Sequence, residues 1–196
     1  MHRNSPTCLF LVSGFINIDC GIAENTSYTD KTTGLNYVSD TAFVDTGVSK
    51  SISLQYNNGS LEQQFWSVRS FPDGIKNCYN LKPAQGKGNR YLVRASFMYG
   101  NYDSKDTLPV FDLYLGANKW DSVKLVDASM IMTMEIIHIP TSNYEFVCLL
   151  NTGNGIPFIS ALELRLLKNS TYRTPSESVV LYRRLDMGSE TNKSIR

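Results

Sequence analysis

Apolar and polar residues alternate along most of this chain, and a period of two residues is the pattern of a β-strand. The clearest run covers residues 90–99, where Arg94 and Ser96 fall on the polar face. The pattern predicts a half-buried strand in this segment. Its apolar face is formed by Tyr91, Val93, Ala95, Phe97 and Tyr99.

The same alternation recurs in short segments along the rest of the chain. Turn sequences such as Asn58-Gly59 and Asn154-Gly155 separate these segments, and no capped helical pattern of about 10–12 residues occurs. Many short strands divided by turns predict an all-β fold, an antiparallel β-sandwich or jelly roll. The further predicted strands cover residues 15–18, 51–55, 77–81, 111–115, 123–126, 133–139, 144–150 and 162–166.

The beginning of the chain differs from its central part. Residues 1–13 contain Arg3, Pro6 and the short apolar run Cys8–Val12. The apolar core of a secretory signal is about 7–15 residues long, so we expect residues 1–13 to be an incomplete signal or leader segment. No apolar run approaches the roughly 18 residues of a membrane-spanning helix, so direct membrane insertion is not expected.

A second change in composition follows Lys168. Residues 169–178 are polar and contain Pro175, which is typical of a linker. The next apolar segment predicts one more strand, with only a short polar tail to follow it and no partner strand of its own. We therefore expect one domain over residues 14–168 and the truncated start of a second over residues 179–196.

The composition excludes several classes of function. Nineteen basic and eighteen acidic residues give a net charge of +1, which provides no field to attract a nucleic acid. The histidines are His2 and His138, and the four cysteines are widely spaced, so neither a metal site nor another cofactor is expected. No nucleophile and base occur in a recognisable arrangement, and sequence cannot show whether Asp103, Asp106 or Asp112 has the carboxylate separation of a glycosidase. We predict that the chain is not an enzyme.

Four Asn-X-Ser/Thr motifs would be glycan acceptors in a secreted protein. Each motif is short and common by chance, but all of them fall in polar or glycine-containing segments that predict loops. The acceptor residues are Asn25, Asn58, Asn169 and Asn192.

A series of motifs in this sequence resembles the malectin-like domain found outside the membrane in plant leucine-rich-repeat receptor kinases. The resemblance covers about residues 14 to 188, and its specificity comes from the order of the motifs rather than from any one of them. They are residues 14–21, 28–30, 34–40, 69–74, 77–81, 99–103, 111–116, 135–140 and 147–165.

This resemblance implies a sandwich fold and a place on the extracellular face of the plasma membrane. Members of the family carry two malectin-like lobes, leucine-rich repeats, a membrane-spanning helix and a protein kinase. The chain looks like the first lobe with the opening strand of the second, and it lacks the glycine-rich loop and catalytic-loop signature of the kinase. If the chain is exported, we expect at most one disulfide, formed between two of Cys20, Cys78 and Cys148.

The resemblance also indicates a candidate ligand site. Animal malectin binds glucose-containing oligosaccharides through aromatic and acidic side chains on loops at one end of its sandwich. The nearest equivalent here is the loop that contains Tyr99, Tyr102 and Asp103. Trp66 and Trp120 are more typical of core or sheet cover, but Trp120 follows a turn and is the more exposed candidate of the two.

Two classes of ligand remain open for such a recognition domain. Recognition of a cell-wall oligosaccharide is favoured by the aromatic loop. Docking of a peptide or co-receptor is favoured because plant members depart from the sugar-binding pattern of malectin. A third expectation is that the truncated chain binds nothing stably without a second lobe.

Overall fold

The computed structural model of the protein describes residues 15–172, 175–176 and 178–182. Three short 3-10 turns accompany fourteen strands within these residues. The predicted leader, Asn192 and residues 183–196 of the predicted second lobe lie outside them. The strands are β1 (Phe15–Asp19), β2 (Ser27–Thr29), β3 (Asn36–Ser39), β4 (Val48–Ser51), β5 (Ser67–Ser70), β6 (Lys76–Leu81), β7 (Tyr91–Phe97), β8 (Val110–Leu115), β9 (Asn118–Lys124), β10 (Met132–His138), β11 (Glu145–Asn154), β12 (Phe158–Ile159), β13 (Ala161–Leu166) and β14 (Ser178–Leu181).

These strands form three sheets, and the predicted all-β sandwich is confirmed. The largest sheet has seven strands in the order β14-β10-β7-β13-β1-β3-β2. A four-stranded sheet has the order β6-β11-β8-β9, and a three-stranded sheet has the order β12-β5-β4. Every pairing is antiparallel except that of β1 with β3.

One hydrophobic core joins the three sheets. Phe97 of β7, Phe111 of β8 and Phe158 of β12 are fully buried and meet with ring centroids 5.8 to 6.3 Å apart. Aromatic rings at such separations add to the stabilisation that comes from their burial. The core therefore fixes the sheets, and with them the loops that connect the sheets at each end.

The prediction that β7 is half-buried was wrong, because all seven of its residues are buried. β7 lies inside the seven-stranded sheet, between β10 and β13, and its polar face carries a row of charges. The Arg94 guanidinium lies 2.7 Å from Glu135 of β10 and 3.2 Å from Glu163 of β13. Arg165 lies 2.5 Å from Glu163 and extends the row. Alternation alone does not reveal that a polar face is buried when its charges pair across strands.

Three further differences concern predicted strands. The strand predicted at residues 123–126 is β9, which begins earlier, at Asn118, and ends at Lys124. The strand predicted at residues 51–55 ends at Ser51, and a 3-10 turn covers Leu54–Tyr56. β14, which was predicted to open a second lobe, pairs with β10 and extends the seven-stranded sheet. The predicted second lobe itself stays a prediction.

A disulfide joins Cys78 and Cys148, two of the three candidate cysteines. These residues are direct partners in the ladder between β6 and β11, and the bond closes a loop over a sequence separation of 70 residues. Cys20 is buried and has a free thiol. Closing a long loop restricts the unfolded chain, so the disulfide contributes to the stability of the sandwich.

Candidate functional site

Three loops meet at one end of the sandwich, and we call their outer face the loop-end surface. They are residues 52–66 between β4 and β5, 98–109 between β7 and β8, and 125–131 between β9 and β10. The N–H of Ser53 donates to the carbonyl of Gly100 at 2.8 Å, and the N–H of Gly100 donates to the carbonyl of Ala128 at 2.8 Å. These backbone bonds hold the three loops together.

Gly100 makes the close contact between two of these loops. Its φ of +50° is in the left-handed region, and a Cβ at this position would lie 2.5 Å from Cγ2 of Ile52. Ile52 is itself buried. A glycine is therefore required where the 52–66 loop crosses the 98–109 loop.

The loop predicted to hold a ligand site is ordered by its own side chains. The Asn101 side chain donates to Asp106 at 2.6 Å and accepts from the Asp106 N–H at 3.0 Å. The Tyr99 hydroxyl donates to the Asp103 carboxylate. Burial, together with the bond to Asp103, raises the pKa of Tyr99 well above its ordinary value, so the hydroxyl stays protonated and remains a donor.

The two tyrosine rings of this loop lie in the core. Tyr99 has no exposed surface and Tyr102 has only 7%. The two rings meet edge to face, and the Tyr102 ring also packs against Phe158. Burial raises the pKa of Tyr102 to about 12, and its hydroxyl accepts from Ser70 at 3.3 Å and donates to the carbonyl of Ile156 at 3.3 Å. The faces of the Tyr99 and Tyr102 rings are therefore not available for stacking against a ligand. Asp103 is the half-buried polar group that these rings support.

The relative exposure of Trp120 and Trp66 is the reverse of the prediction. The prediction that Trp120 is the more exposed tryptophan was wrong, since Trp120 is 7% exposed and Trp66 is 40% exposed. Trp120 lies where the register of β9 against β8 shifts, between Lys119 and Asp121, and this bulge turns its ring into the core. The indole N–H of Trp66 donates to the carbonyl of Leu61 at 3.0 Å, which fixes the ring against the 52–66 loop.

Exposed apolar side chains occur on two of the three loops, 52–66 and 125–131. Leu54 is 89% exposed and Val126 is 79% exposed. Ile131 and Trp66 are each less than half exposed. Exposed apolar groups that are rimmed by polar ones are characteristic of interaction sites. The sequence did not indicate Leu54 and Trp66 as surface residues, because Leu54 fell in the strand predicted at 51–55 and Trp66 was expected to be core or sheet cover.

A buried polar cluster lies behind this end of the sandwich, at the end of β1. Asp19 has no exposed surface, and its carboxylate accepts from the Tyr28 hydroxyl at 2.8 Å and the Ser67 hydroxyl at 3.1 Å. Burial raises the pKa of Asp19 to about 7, and the nearby carboxylate of Asp40 adds to that rise.

Asp40 completes the cluster and is also fully buried. It accepts from Nε of Arg69 at 2.8 Å and from the Tyr79 hydroxyl at 3.0 Å, and a second guanidinium nitrogen of Arg69 contacts its other oxygen. The bond to Asp40 raises the pKa of Arg69, and burial raises the pKa of the Cys20 thiol. The cluster is closed to solvent at both carboxylates, so it fixes β5 in place rather than presenting a ligand site.

The remaining predicted features lie apart from these clusters. Asn25, Asn58 and Asn169 are exposed, as glycan acceptors must be, and Asn58 lies within the 52–66 loop. No group of three His, Cys, Asp or Glu side chains that could hold a metal ion occurs in the part of the chain that the structure describes. None of the described helices is long and apolar enough to cross a membrane.

Comparison with known proteins identifies relatives in sequence. A sequence profile of the malectin-like domain matches residues 18–196. A leucine-rich repeat receptor-like protein kinase of Arabidopsis thaliana is 55% identical over 176 residues, which are 90% of this chain and 20% of that protein. The chain thus spans about a fifth of the length of this relative.

Solved structures show the same fold at much lower identity. The ANX1 ectodomain from Arabidopsis thaliana matches with a TM-score of 0.64 and 18% identity, over 78% of this chain and 41% of that one. A plant complex of the peptide RALF23 with FER and LLG2 matches with a TM-score of 0.60 and 14% identity, over 79% of this chain and 40% of that one. These similarities show the fold alone.

Proposed function

Because this chain belongs to the malectin-like domain family, we propose that it serves as a ligand-recognition domain in the extracellular part of a plant receptor kinase. The proposed role is binding without catalysis. The kinase relative is about five times longer than the matched segment, so the signalling activity of such a receptor would lie in sequence beyond the match. The sandwich would supply a rigid support, and its loops would make the contacts.

The observation that carries the proposal is the exposure of apolar side chains on two loops, 52–66 and 125–131, that are hydrogen-bonded through the 98–109 loop between them. Leu54, Trp66, Val126 and Ile131 would contribute apolar contacts on the loop-end surface. Polypeptide interfaces combine aliphatic and aromatic contacts with a polar rim. Asp103 would supply part of that rim, with Tyr99 orienting its carboxylate. We therefore favour a secreted peptide or a co-receptor as the ligand.

A cell-wall oligosaccharide is the second candidate, and the geometry of Trp66 favours it. A tryptophan ring that is fixed at its N–H and is 40% exposed can stack against the C–H face of a sugar. Asp103 could then accept hydrogen bonds from sugar hydroxyls. In this reading Tyr99, Tyr102 and Trp120 act as buried support for the loops and not as stacking partners.

The proposal is tested with a double variant, Leu54→Ala with Trp66→Ala, made in the full chain and produced through a secretory pathway. Its matched control is Ile75→Ala, because Ile75 is 75% exposed but its carbonyl bonds to Asn151, outside the three loops. The probes are synthetic RALF23, with and without LLG2, and an array of cell-wall oligosaccharides.

We expect the wild-type chain to bind the peptide and the double variant to bind it about tenfold or more weakly. Each lost apolar anchor removes about 1–2 kcal/mol or more of binding free energy. The control variant should bind like the wild type. Retention of an oligosaccharide that depends on Trp66 would favour the second candidate. Binding that is the same in the double variant and the wild type would remove the loop-end surface from consideration.

A further inference from the structure

The edge of the three-stranded sheet carries a feature that the loop-end surface does not explain. β4 is the last strand of that sheet, and it pairs with β5 on one side. All four of its side chains are exposed, and within the described residues no strand pairs with its other side. An unpaired strand edge presents backbone donors and acceptors that another extended chain can use.

The register shows which backbone groups point outward. The N–H of Ile52 donates to the carbonyl of Trp66 at 3.1 Å, so Ile52 and Trp66 form a hydrogen-bonded pair. Hydrogen-bonded and non-hydrogen-bonded pairs alternate in an antiparallel ladder. Lys50, opposite Val68, is therefore also a hydrogen-bonded position, whereas Ser49 and Ser51 are not. The N–H and C=O groups of Ser49 and Ser51 point away from β5, toward solvent.

The edge strand β9 of the four-stranded sheet is better protected than β4. β9 carries the bulge at Trp120 and exposed charges at Lys119, Asp121 and Lys124. A bulge and charged side chains are the usual means by which an edge avoids pairing with another chain. β4 has a regular register, no proline and a single charge, at Lys50.

We propose that the β4 edge binds an extended segment of a partner polypeptide, which pairs with Ser49 and Ser51 as an additional strand. This inference rests on the proposed function, and it specifies how the ligand would be held. Main-chain pairing would provide affinity, and side chains at alternate positions would provide specificity.

The position of β4 relative to the loop-end surface supports this occupant. β4 leads directly into Ile52 and then Leu54, and the N–H of Ser53 is bonded to Gly100. A segment that pairs with Ser49 and Ser51 would therefore end against the 98–109 loop, beside the 52–66 loop that carries Leu54 and Trp66. β4 has four residues and spans at most about 14 Å, which an extended segment of about four residues matches. The single charge at Lys50 favours an acidic residue opposite it, because opposite charges across strands are stabilising.

The test begins with a phage library of linear peptides of about twelve residues, selected on the full, secreted chain. A selected peptide is synthesised with single N-methyl groups at successive backbone positions. An N-methyl group removes one donor from the peptide without altering the protein. Only alternate amides of a paired strand face their neighbour, so we expect methylation to weaken binding by about tenfold at every second position.

A protein variant provides the second measurement. Ser49→Pro removes an outward N–H that the β4–β5 ladder does not use, and its matched control is Ser49→Ala, which keeps that N–H. We expect Ser49→Pro to weaken binding by about tenfold and Ser49→Ala to leave it unchanged. If Ser49→Pro lowers the melting temperature markedly, the N-methyl series alone decides.

The outcomes separate this proposal from the function on which it rests. Suppose that methylation effects show no period of two, but the Leu54 and Trp66 double variant still loses binding. This result would overturn pairing at β4 and leave polypeptide recognition in place. The failure of the library to yield any specific peptide would overturn both.

Discussion

Asp19 is a buried carboxylic acid whose protonation differs between the folded and unfolded chain. Its folded pKa of about 7 lies well above its ordinary value of 3.8. The folded protein therefore holds a proton that the unfolded chain releases between about pH 4 and pH 7. The stability that Asp19 contributes is complete below about pH 4 and is lost as the pH rises through 7.

We predict that the free energy of unfolding decreases between pH 5 and pH 8, and that Asp19→Asn removes most of this decrease. A tenfold change in proton affinity corresponds to about 1.4 kcal/mol, so the effect is on the order of a few kcal/mol. The lowered pKa values of Asp112 and Asp127 act in the opposite direction, but below this window. Urea denaturation at several pH values measures the slope. Asp45→Asn, which removes an exposed carboxylate, should keep the wild-type slope.

Arg94 stabilises two acidic side chains on neighbouring strands. Arg94→Leu would leave Glu135 and Glu163 on either side of β7 without the guanidinium between them. Removing one member of a buried ion-pair network costs about 3–5 kcal/mol. We predict a loss of this size in urea denaturation. Lys119→Met is the control, since Lys119 pairs with Asp112 at the surface and its loss should change stability little. Equal effects of the two variants would contradict the account.

The residue scale is where the sequence was least informative. Arg94 was placed on a polar face by its alternation, and nothing in its own strand indicates that Glu135 and Glu163 lie beside it. Trp120 follows a turn, and only the bulge in β9 reveals that its ring points into the core. Burial of such residues depends on neighbouring strands that are distant in sequence, so a local pattern cannot specify it.

At the scale of elements, the turn after β1 has the strictest requirement. Gly21 has a φ of +97°, and a Cβ there would lie 2.2 Å from the backbone carbonyl oxygen of Val68. We predict that Gly21→Ala lowers the stability by about 3 kcal/mol or more, because backbone atoms cannot yield as a flexible side chain can. The measurement is the melting temperature of the secreted chain.

Gly59→Ala separates the steric clash from the cost of the backbone conformation. Gly59 also has a positive φ, of +74°, but no atom lies within 4 Å of an added Cβ. This variant should lose only about 1 kcal/mol. Similar losses in the two variants would show that the contact with Val68 is not what makes Gly21 necessary.

The sequence predicted the long strands well, except β9, and the short strands poorly. In β9 the bulge at Trp120 interrupts the alternation, and the predicted strand, 123–126, overlaps only its end. β7, β8, β10, β11 and β13 each hold at least six residues, so alternation could be recognised in them. β2, β3, β5 and β12 hold two to four residues, which is too few to establish a period. The three-stranded sheet contains two of these short strands, so the edge at β4 could not be identified from sequence.

For the whole molecule, the sequence indicated the family and the class of fold, but not the surface that would bind a ligand. The segment after β7 is a loop, as the sequence predicted, and its residues 98–109 contact the two neighbouring loops. Its tyrosines proved to be core residues, because β7 continues its apolar face into the loop. The exposed groups stand on the 52–66 and 125–131 segments, and only the folded chain brings these to the same place.

We propose that the loop-end surface recognises an extracellular polypeptide. The most direct test is hydrogen exchange of the secreted chain with and without a peptide selected on it. We predict slower exchange in residues 48–66, 98–109 and 125–131 and no change in β9, which lies outside the proposed contact. Protection confined to β6 and β9, on the four-stranded sheet, would contradict the account.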